Sequence, residues 1–172
     1  MIRPKFSMWV NWPERDNLNG INNPGVYALA VSDNDISNSK FDWLKEITYF
    51  GMTNSCRGLK SRLKQFDNTI NLKEGHGGGE RFRYKYRDYK KLIKKLFVAV
   101  CPIECDVTSN DPKDLLKMGE VHMLEFYCFA EYVTRFNELP EFNNKREATK
   151  LRKNELRLGE AKQLKQRSIE TH

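Results

Sequence analysis

The sequence lacks the long apolar run that a membrane-spanning helix requires. Hydrophobic residues make up 39% of the 172 residues, enough for one core, yet none of their runs approaches the roughly 20 residues that cross a bilayer. The N-terminal residues also lack the apolar segment of a secretory signal peptide. We therefore expect a cytoplasmic protein with no membrane partner.

Cysteine is scarce, and its spacing matches no common metal or redox motif. The four cysteines are Cys56, Cys101, Cys105 and Cys128. No two of them are separated by the two residues typical of zinc-binding or redox-active pairs. We expect reduced thiols and no zinc-binding cysteine array.

Negative charge is scarce in two blocks of the chain. Residues 57–95 hold 13 Lys and Arg against 4 Asp and Glu, and residues 145–172 hold 9 against 4. The rest of the chain is acidic, with 8 Lys and Arg against 15 Asp and Glu. Basic and aromatic residues alternate along residues 81–87, a pattern that suits phosphate contacts and base stacking. Segregated positive charge favours a nucleic-acid partner over an ordinary solvated surface.

Three short apolar runs predict strands. Residues 26–31, 47–50 and 96–100 are rich in β-branched, aromatic or other apolar side chains. Gly51 is expected to end the second strand by allowing a sharp turn. The first two strands should pair antiparallel, with Tyr27 and Tyr49 on them.

Helical spacing marks the segment that follows the second strand. Leu59, Leu63 and Phe66 recur at intervals of three and four, which places Arg62 in the first turns of a helix. The glycine-rich residues 75–79 predict a flexible loop after this helix.

A second, longer helix should begin at Pro112, because Asp111 supplies an N-cap and proline suits the first helical position. It should end near Asn137, with a possible break at Gly119. Its expected buried residues are Leu115, Leu116, Met123, Leu124 and Phe129 or its neighbours.

Together these elements predict an α+β fold: a small three-stranded antiparallel sheet flanked by helices. The first 23 residues should wrap this domain, with Trp9 and Trp12 as packing anchors. The domain should span residues 1–144, followed by a basic helical extension at residues 145–172.

Five separated motifs resemble, in order, the GIY-YIG endonuclease family. They are Gly25-Val26-Tyr27, Tyr49-Phe50-Gly51, the helix segment Leu59-Lys60-Ser61-Arg62-Leu63, Glu125, and Leu139-Pro140-Glu141-Phe142-Asn143. The resemblance covers about residues 24–144. It implies the family's three-stranded fold and metal-dependent hydrolysis of DNA with Mg²⁺ or Mn²⁺. A restriction-type or mobile-element nuclease fits a chain without a second catalytic domain.

The resemblance also implies residue roles. Tyr27 and Tyr49 match the motif tyrosines, Arg62 the catalytic arginine, and Glu125 the metal-binding glutamate. A histidine that many relatives carry one turn after the arginine is Phe66 here, so His76 is the expected substitute. Valine and phenylalanine replace the two motif isoleucines, which preserves hydrophobic packing.

The residues leave several assignments open. The general base is Tyr27, Tyr49 or His76. Arg57 competes with Arg62, and Glu131 competes with Glu125. Asn143, expected to contact DNA, is not separable from Asn144. The full set of expected DNA contacts is Arg57, Lys60, Lys64, Arg81, Arg83, Lys85 and Asn143.

Two functions of different classes fit the sequence. One is a metal-dependent DNA endonuclease, acting as a monomer or homodimer. The alternative is a non-catalytic, basic nucleic-acid-binding module on the same fold. The combination of both tyrosines, Arg62 and Glu125 favours the enzyme, because binding alone does not require these residues together.

Overall fold

A four-stranded antiparallel sheet lies at the centre of the computed structural model, which describes residues 3–73 and 77–143. Its strands are β1 (Val10–Asn11), β2 (Gly25–Val31), β3 (Ile47–Thr53) and β4 (Leu96–Pro102), in the spatial order β1-β4-β2-β3. The α+β class and the antiparallel β2–β3 pair are confirmed. The predicted count of three strands is one too low, because β1 is too short to produce an alternating pattern.

In the described residues, a 3₁₀ helix and four α-helices flank the sheet. They are the 3₁₀ helix Trp12–Asn17, α1 (Gly58–Ile70), α2 (Gly77–Lys85), α3 (Tyr89–Leu92) and α4 (Pro112–Phe136). Among the described helices none has both the length and the apolar character needed to cross a membrane. Residues 144–172, including the predicted extension, lie outside the described residues.

The prediction of a glycine loop is wrong for Gly77–Gly79, which form the first turn of α2. A Cβ atom on Gly79 would lie 2.9 Å from the Cβ atom of Thr69 on α1. Glycine therefore permits close contact between the two helices. Gly75 and His76, the remainder of that prediction, lie outside the described residues.

The sheet buries both of its faces. On the front face, the side of Tyr27 and Leu29, β2 packs against α1, and α2 packs on α1. On the back face, the side of Val26 and Ala28, it packs against α4. Trp9 and Trp12 are fully buried on opposite faces, which confirms both as packing anchors.

The predicted limits of α4 are confirmed, but its predicted buried side is wrong in part. The Asp111 carboxylate accepts a hydrogen bond from the Lys113 N–H at 2.8 Å, and the helix continues through Gly119. Its buried residues are Val121, Leu124, Cys128 and Tyr132. Leu115, Leu116 and Met123 were predicted to be buried, but are 50%, 71% and 51% exposed. They lie on the opposite side of the helix from the sheet.

Candidate active site at the edge of the sheet

Tyr27 and Tyr49 lie side by side on the front face. The β2–β3 register places Tyr27 opposite Gly51, two residues beyond Tyr49, and the two ring centroids are 6.0 Å apart. A Cβ atom on Gly51 would lie 2.5 Å from the Tyr27 hydroxyl oxygen. The prediction that the strand ends at Gly51 is therefore wrong: β3 continues to Thr53, and the glycine makes room for the tyrosine rings.

Arg62 reaches these tyrosines from α1. Its guanidinium forms a hydrogen bond with the Tyr27 hydroxyl, and its charge lowers the pKa of both Tyr27 and Tyr49. One terminal nitrogen, Nη1, also lies 3.3 Å from Gln65 Oε1. Arg57, the competing candidate, is exposed just before α1 begins. Of the two arginines, Arg62 is the one that the structure places beside the tyrosines.

Arg81 is a second guanidinium at the site, and the sequence did not assign it this position. It was expected to be a DNA contact, yet it is only 8% exposed and donates a hydrogen bond to the Phe142 carbonyl. Its charge lowers the pKa of Tyr49, so it lies near the tyrosine pair. The sequence feature that could have indicated its burial is Gly78-Gly79. Glycines let α2 pack closely on α1, and this close packing buries the residues that follow them in α2.

Both guanidiniums have an unused donor. The Nε atoms of Arg62 and Arg81 are buried and have no hydrogen-bond partner among the described residues. Neither arginine forms a salt bridge with a carboxylate of the described residues. Arg15 also has an Nε atom without a partner, but its Nη2 atom pairs with Asp67 Oδ2 at 3.2 Å. A buried donor without a partner costs about 1–3 kcal/mol. Among the described residues nothing offsets this cost for either arginine.

The two tyrosines are neutral phenols near pH 7. Burial raises the pKa of Tyr27 well above its ordinary value of 10.0, and it raises the pKa of Tyr49 as well. The Arg62 charge acts in the opposite direction but does not outweigh burial. A tyrosine acts as a base near pH 7 only if a cation or a metal lowers its pKa, and Arg62 and Arg81 do not lower it enough to offset burial.

Glu125 lies on α4, the helix that packs against the back face of the sheet. It is half-buried, and its charge raises the pKa of Tyr49, which places the carboxylate within electrostatic range of that phenol. Glu131, the competing candidate, instead lies beside Arg135 and Tyr127. His122 contacts Asn54 and the Met118 carbonyl. Of these two carboxylates, Glu125 is the one whose charge acts on Tyr49.

The donor set fits only one type of metal site. In the described parts of the chain no three residues of the His, Cys, Asp and Glu types form a group able to hold a metal ion. A protein-only metal cage is therefore not formed by these residues. A single carboxylate such as Glu125 fits Mg²⁺, which keeps several waters and takes substrate oxygens as ligands.

Comparisons with known proteins do not assign this chain to a family. No protein-family model, curated protein or solved structure gives a significant match to this chain. The resemblance described above therefore depends on the residues themselves.

The expected DNA contacts fall into two groups. Arg57, Lys60 and Lys64 are exposed along one side of α1. At about 100° per residue, Lys60 and Lys64 lie about 160° around the helix from Arg62, so they are outside the tyrosine site. On α2, Lys85 is engaged by Glu141, with its Nζ atom 2.7 Å from Glu141 Oε2, and Arg83 is half-buried.

Asn143 and Phe66 have structural contacts. The Asn143 side chain accepts a hydrogen bond from the Phe50 N–H at 2.7 Å and donates one to the Phe50 carbonyl at 2.8 Å. It thereby pairs with the open edge of β3. Phe66 is fully buried, and its ring contacts those of Trp12 and Phe82.

Proposed function

We propose that this chain is a metal-dependent endonuclease that hydrolyses DNA phosphodiester bonds. The observation that carries the proposal is the meeting of two arginines, two tyrosines and one carboxylate from separate elements. Arg62 and Arg81 supply two guanidiniums with buried, unused donors near Tyr49. Glu125 supplies negative charge near the same phenol. This arrangement suits a phosphate group that binds both to cations of the protein and to a metal ion.

The arginines stabilise charge in this proposal. Hydrolysis adds a water oxygen to phosphorus and breaks one phosphorus–oxygen ester bond, while negative charge increases on the other phosphate oxygens. A guanidinium offers two parallel, permanently charged donors to such oxygens. Arg62 and Arg81 are held by Tyr27 and by the Phe142 carbonyl, so their positions are set before substrate binds.

The tyrosines have different roles. Tyr27 has no exposed surface, so it positions Arg62 and Tyr49 rather than contacting substrate. Tyr49 is half-buried and, as a neutral phenol, donates its proton in a hydrogen bond to a phosphate or leaving oxygen. The proton released by the attacking water leaves through solvent or through His76, which lies outside the described residues.

Glu125 is the residue that would hold the metal. A bound Mg²⁺ or Mn²⁺ would supply Lewis-acid stabilisation of the phosphate and would lower the pKa of a coordinated water. The chain contributes one carboxylate, and substrate and water oxygens complete the coordination. Under this proposal, metal binding is weak without DNA.

The residues that carry this proposal belong to motifs that resemble, in order, those of the GIY-YIG family. A restriction-type or mobile-element nuclease is the subclass that we propose, by analogy. The exposed cations of α1 provide sequence-independent phosphate contacts away from the reacting bond.

Supercoiled plasmid tests the proposal directly. Purified protein with Mg²⁺ or Mn²⁺ should convert it to nicked or linear DNA, and a chelator should stop the conversion. Glu125→Gln protein, purified in the same way, controls for contaminating nuclease. If wild-type protein binds the plasmid but neither metal supports cutting, the chain is the non-catalytic nucleic-acid-binding module instead.

A further inference from the structure

A regular apolar stripe runs along the outer side of α4. Its members recur at alternating intervals of three and four residues, and none of them is buried: Leu116, Gly119, Met123, Phe126, Ala130 and Val133. We call these six residues the α4 seam. Phe126 is 68% exposed, and Leu115, at 50%, extends the stripe on one flank. This spacing is that of a helix packed against another helix.

The seam lies opposite the side of α4 that packs on the sheet. Val121, Leu124 and Cys128 face the core, and the seam residues are about 180° away around the helix. A helix that is apolar on two opposite sides is normally covered on both. The described residues cover only one side of α4.

Gly119 has no reason within the described fold to be glycine. Its φ angle is not positive, and a Cβ atom there would meet nothing within 4 Å. Glycine inside a helix costs about 1 kcal/mol relative to alanine. A small residue at this position is explained if the backbone of another helix approaches closely on that side.

The seam is self-complementary when two copies run antiparallel. A two-fold axis between Leu124 and Glu125 places Leu116 opposite Val133 of a second copy. The same axis pairs Gly119 with Ala130 and Met123 with Phe126. Each layer thus joins side chains of comparable size. A parallel pair would place Gly119 against Gly119 and Phe126 against Phe126, which creates a void in one layer and overcrowding in another.

We propose that the α4 seam binds a second copy of this chain, forming an antiparallel two-fold dimer. Burying the exposed apolar side chains in both copies would remove on the order of 1,000 Å² of surface, the lower limit for a specific interface. Interfaces at this lower limit are commonly weak, and we expect a dissociation constant of about 1–100 µM. The other candidate occupant, residues 145–172, carries 13 charged residues and no broad apolar stripe, so it complements the seam less well.

Sedimentation equilibrium of the full chain, from about 1 µM to about 500 µM, tests the dimer without DNA or metal. We expect reversible dimerisation that Phe126→Glu weakens at least tenfold. Circular dichroism should be unchanged, because this side chain is mostly exposed. Leu72→Glu is the matched control: it changes a residue that is 60% exposed outside α4, and it should leave dimerisation intact.

Cysteine cross-linking tests the orientation. Gly119→Cys protein mixed with Ala130→Cys protein should form a disulfide-linked pair on oxidation, above the wild-type background. Each variant alone should cross-link much less. Preferential linking of Gly119→Cys to itself would indicate a parallel pair and overturn the proposal.

A monomer at every concentration would also overturn the dimer. Lysine-directed cross-links from Lys117 to residues 145–172 of the same chain would then assign the seam to the C-terminal segment. Since both experiments measure assembly, their outcome is independent of whether the chain cuts DNA.

Discussion

Arg62 donates a hydrogen bond to the hydroxyl oxygen of Tyr27, because a guanidinium has donors and no acceptor. Tyr27 is fully buried, whereas Tyr49, whose ring centroid is 6.0 Å away, is half-buried. This difference in exposure gives the two tyrosines distinct roles, although their sequence motifs look alike.

Replacing Glu125 should separate catalysis from binding. Glu125→Gln removes the charge that would hold the metal, so cleavage should fall by about 10²–10³-fold while DNA affinity in chelator changes little. Glu131→Gln is the matched control on the same helix and should cut at close to the wild-type rate. Plasmid conversion measures cutting, and fluorescence anisotropy measures binding. Equal rates for Glu125→Gln and wild type would refute the assignment.

Replacing Arg62 with lysine tests whether the planar fork is needed. Lysine keeps the charge, but its donors all leave one nitrogen and cannot reproduce the rigid, planar, bidentate fork of a guanidinium. We expect a loss of about 10²-fold in kcat at saturating DNA. Arg57→Lys is the control and should cost little. Full activity in Arg62→Lys would show that charge alone is sufficient.

Alkaline pH should destabilise the protein through the tyrosine pair. The pKa of Tyr27 and of Tyr49 is raised in the folded state, so the unfolded chain loses these protons first, near pH 10. The stabilisation is complete below about pH 10 and is lost as pH rises through the folded pKa values.

Urea unfolding at several pH values, with absorbance at 295 nm, checks this prediction. Tyr27→Phe should reduce the alkaline loss of stability. Tyr132 should continue to contribute in that variant, because burial raises its pKa to about 12. Ionisation below about pH 9 that disappears in Tyr49→Phe would restore Tyr49 as a candidate base.

Asn143 should stabilise the fold through both its side-chain oxygen and its side-chain nitrogen. Asn143→Ala removes two hydrogen bonds to the Phe50 backbone, and the free energy of unfolding should fall by about 1–3 kcal/mol. Asn143→Asp keeps an acceptor for the Phe50 N–H but has no donor for the Phe50 carbonyl. It should therefore also be destabilised. Urea denaturation measures both variants, and wild-type stability in Asn143→Asp would contradict the two-bond arrangement.

The salt dependence of DNA affinity should distinguish the exposed cations of α1 from Lys85, which pairs with Glu141. Replacing both Lys60 and Lys64 with alanine should make the slope of log affinity against log salt shallower by about 2, one unit for each phosphate that the variant no longer neutralises. Lys85→Ala should change this slope less, because Glu141 already neutralises Lys85. Lys40→Ala, in the loop between β2 and β3, is the control. An unchanged slope in the Lys60 and Lys64 variant would remove α1 from the DNA-binding surface.

The sequence by itself determined the elements whose signals are local. Residues 26–31 and 47–50 are short apolar runs, and they lie in β2 and β3. Helical spacing placed Arg62 on α1, and the Asp111-Pro112 cap set the start of α4. Each of these signals comes from side chains within one or two turns of one another, so no knowledge of the rest of the chain is needed.

Only the tertiary structure decided the features that depend on distant partners. Arg81 became part of the site because α2 packs closely on α1, although its neighbours in sequence look like an exposed basic surface. Asn143 pairs with Phe50, 93 positions away, on a strand edge that exists only after the sheet forms. α4 is apolar on two sides, so its periodicity could not show that Leu124 is buried and Leu116 exposed. Packing against the sheet makes that choice, because the sheet can cover only one side of the helix.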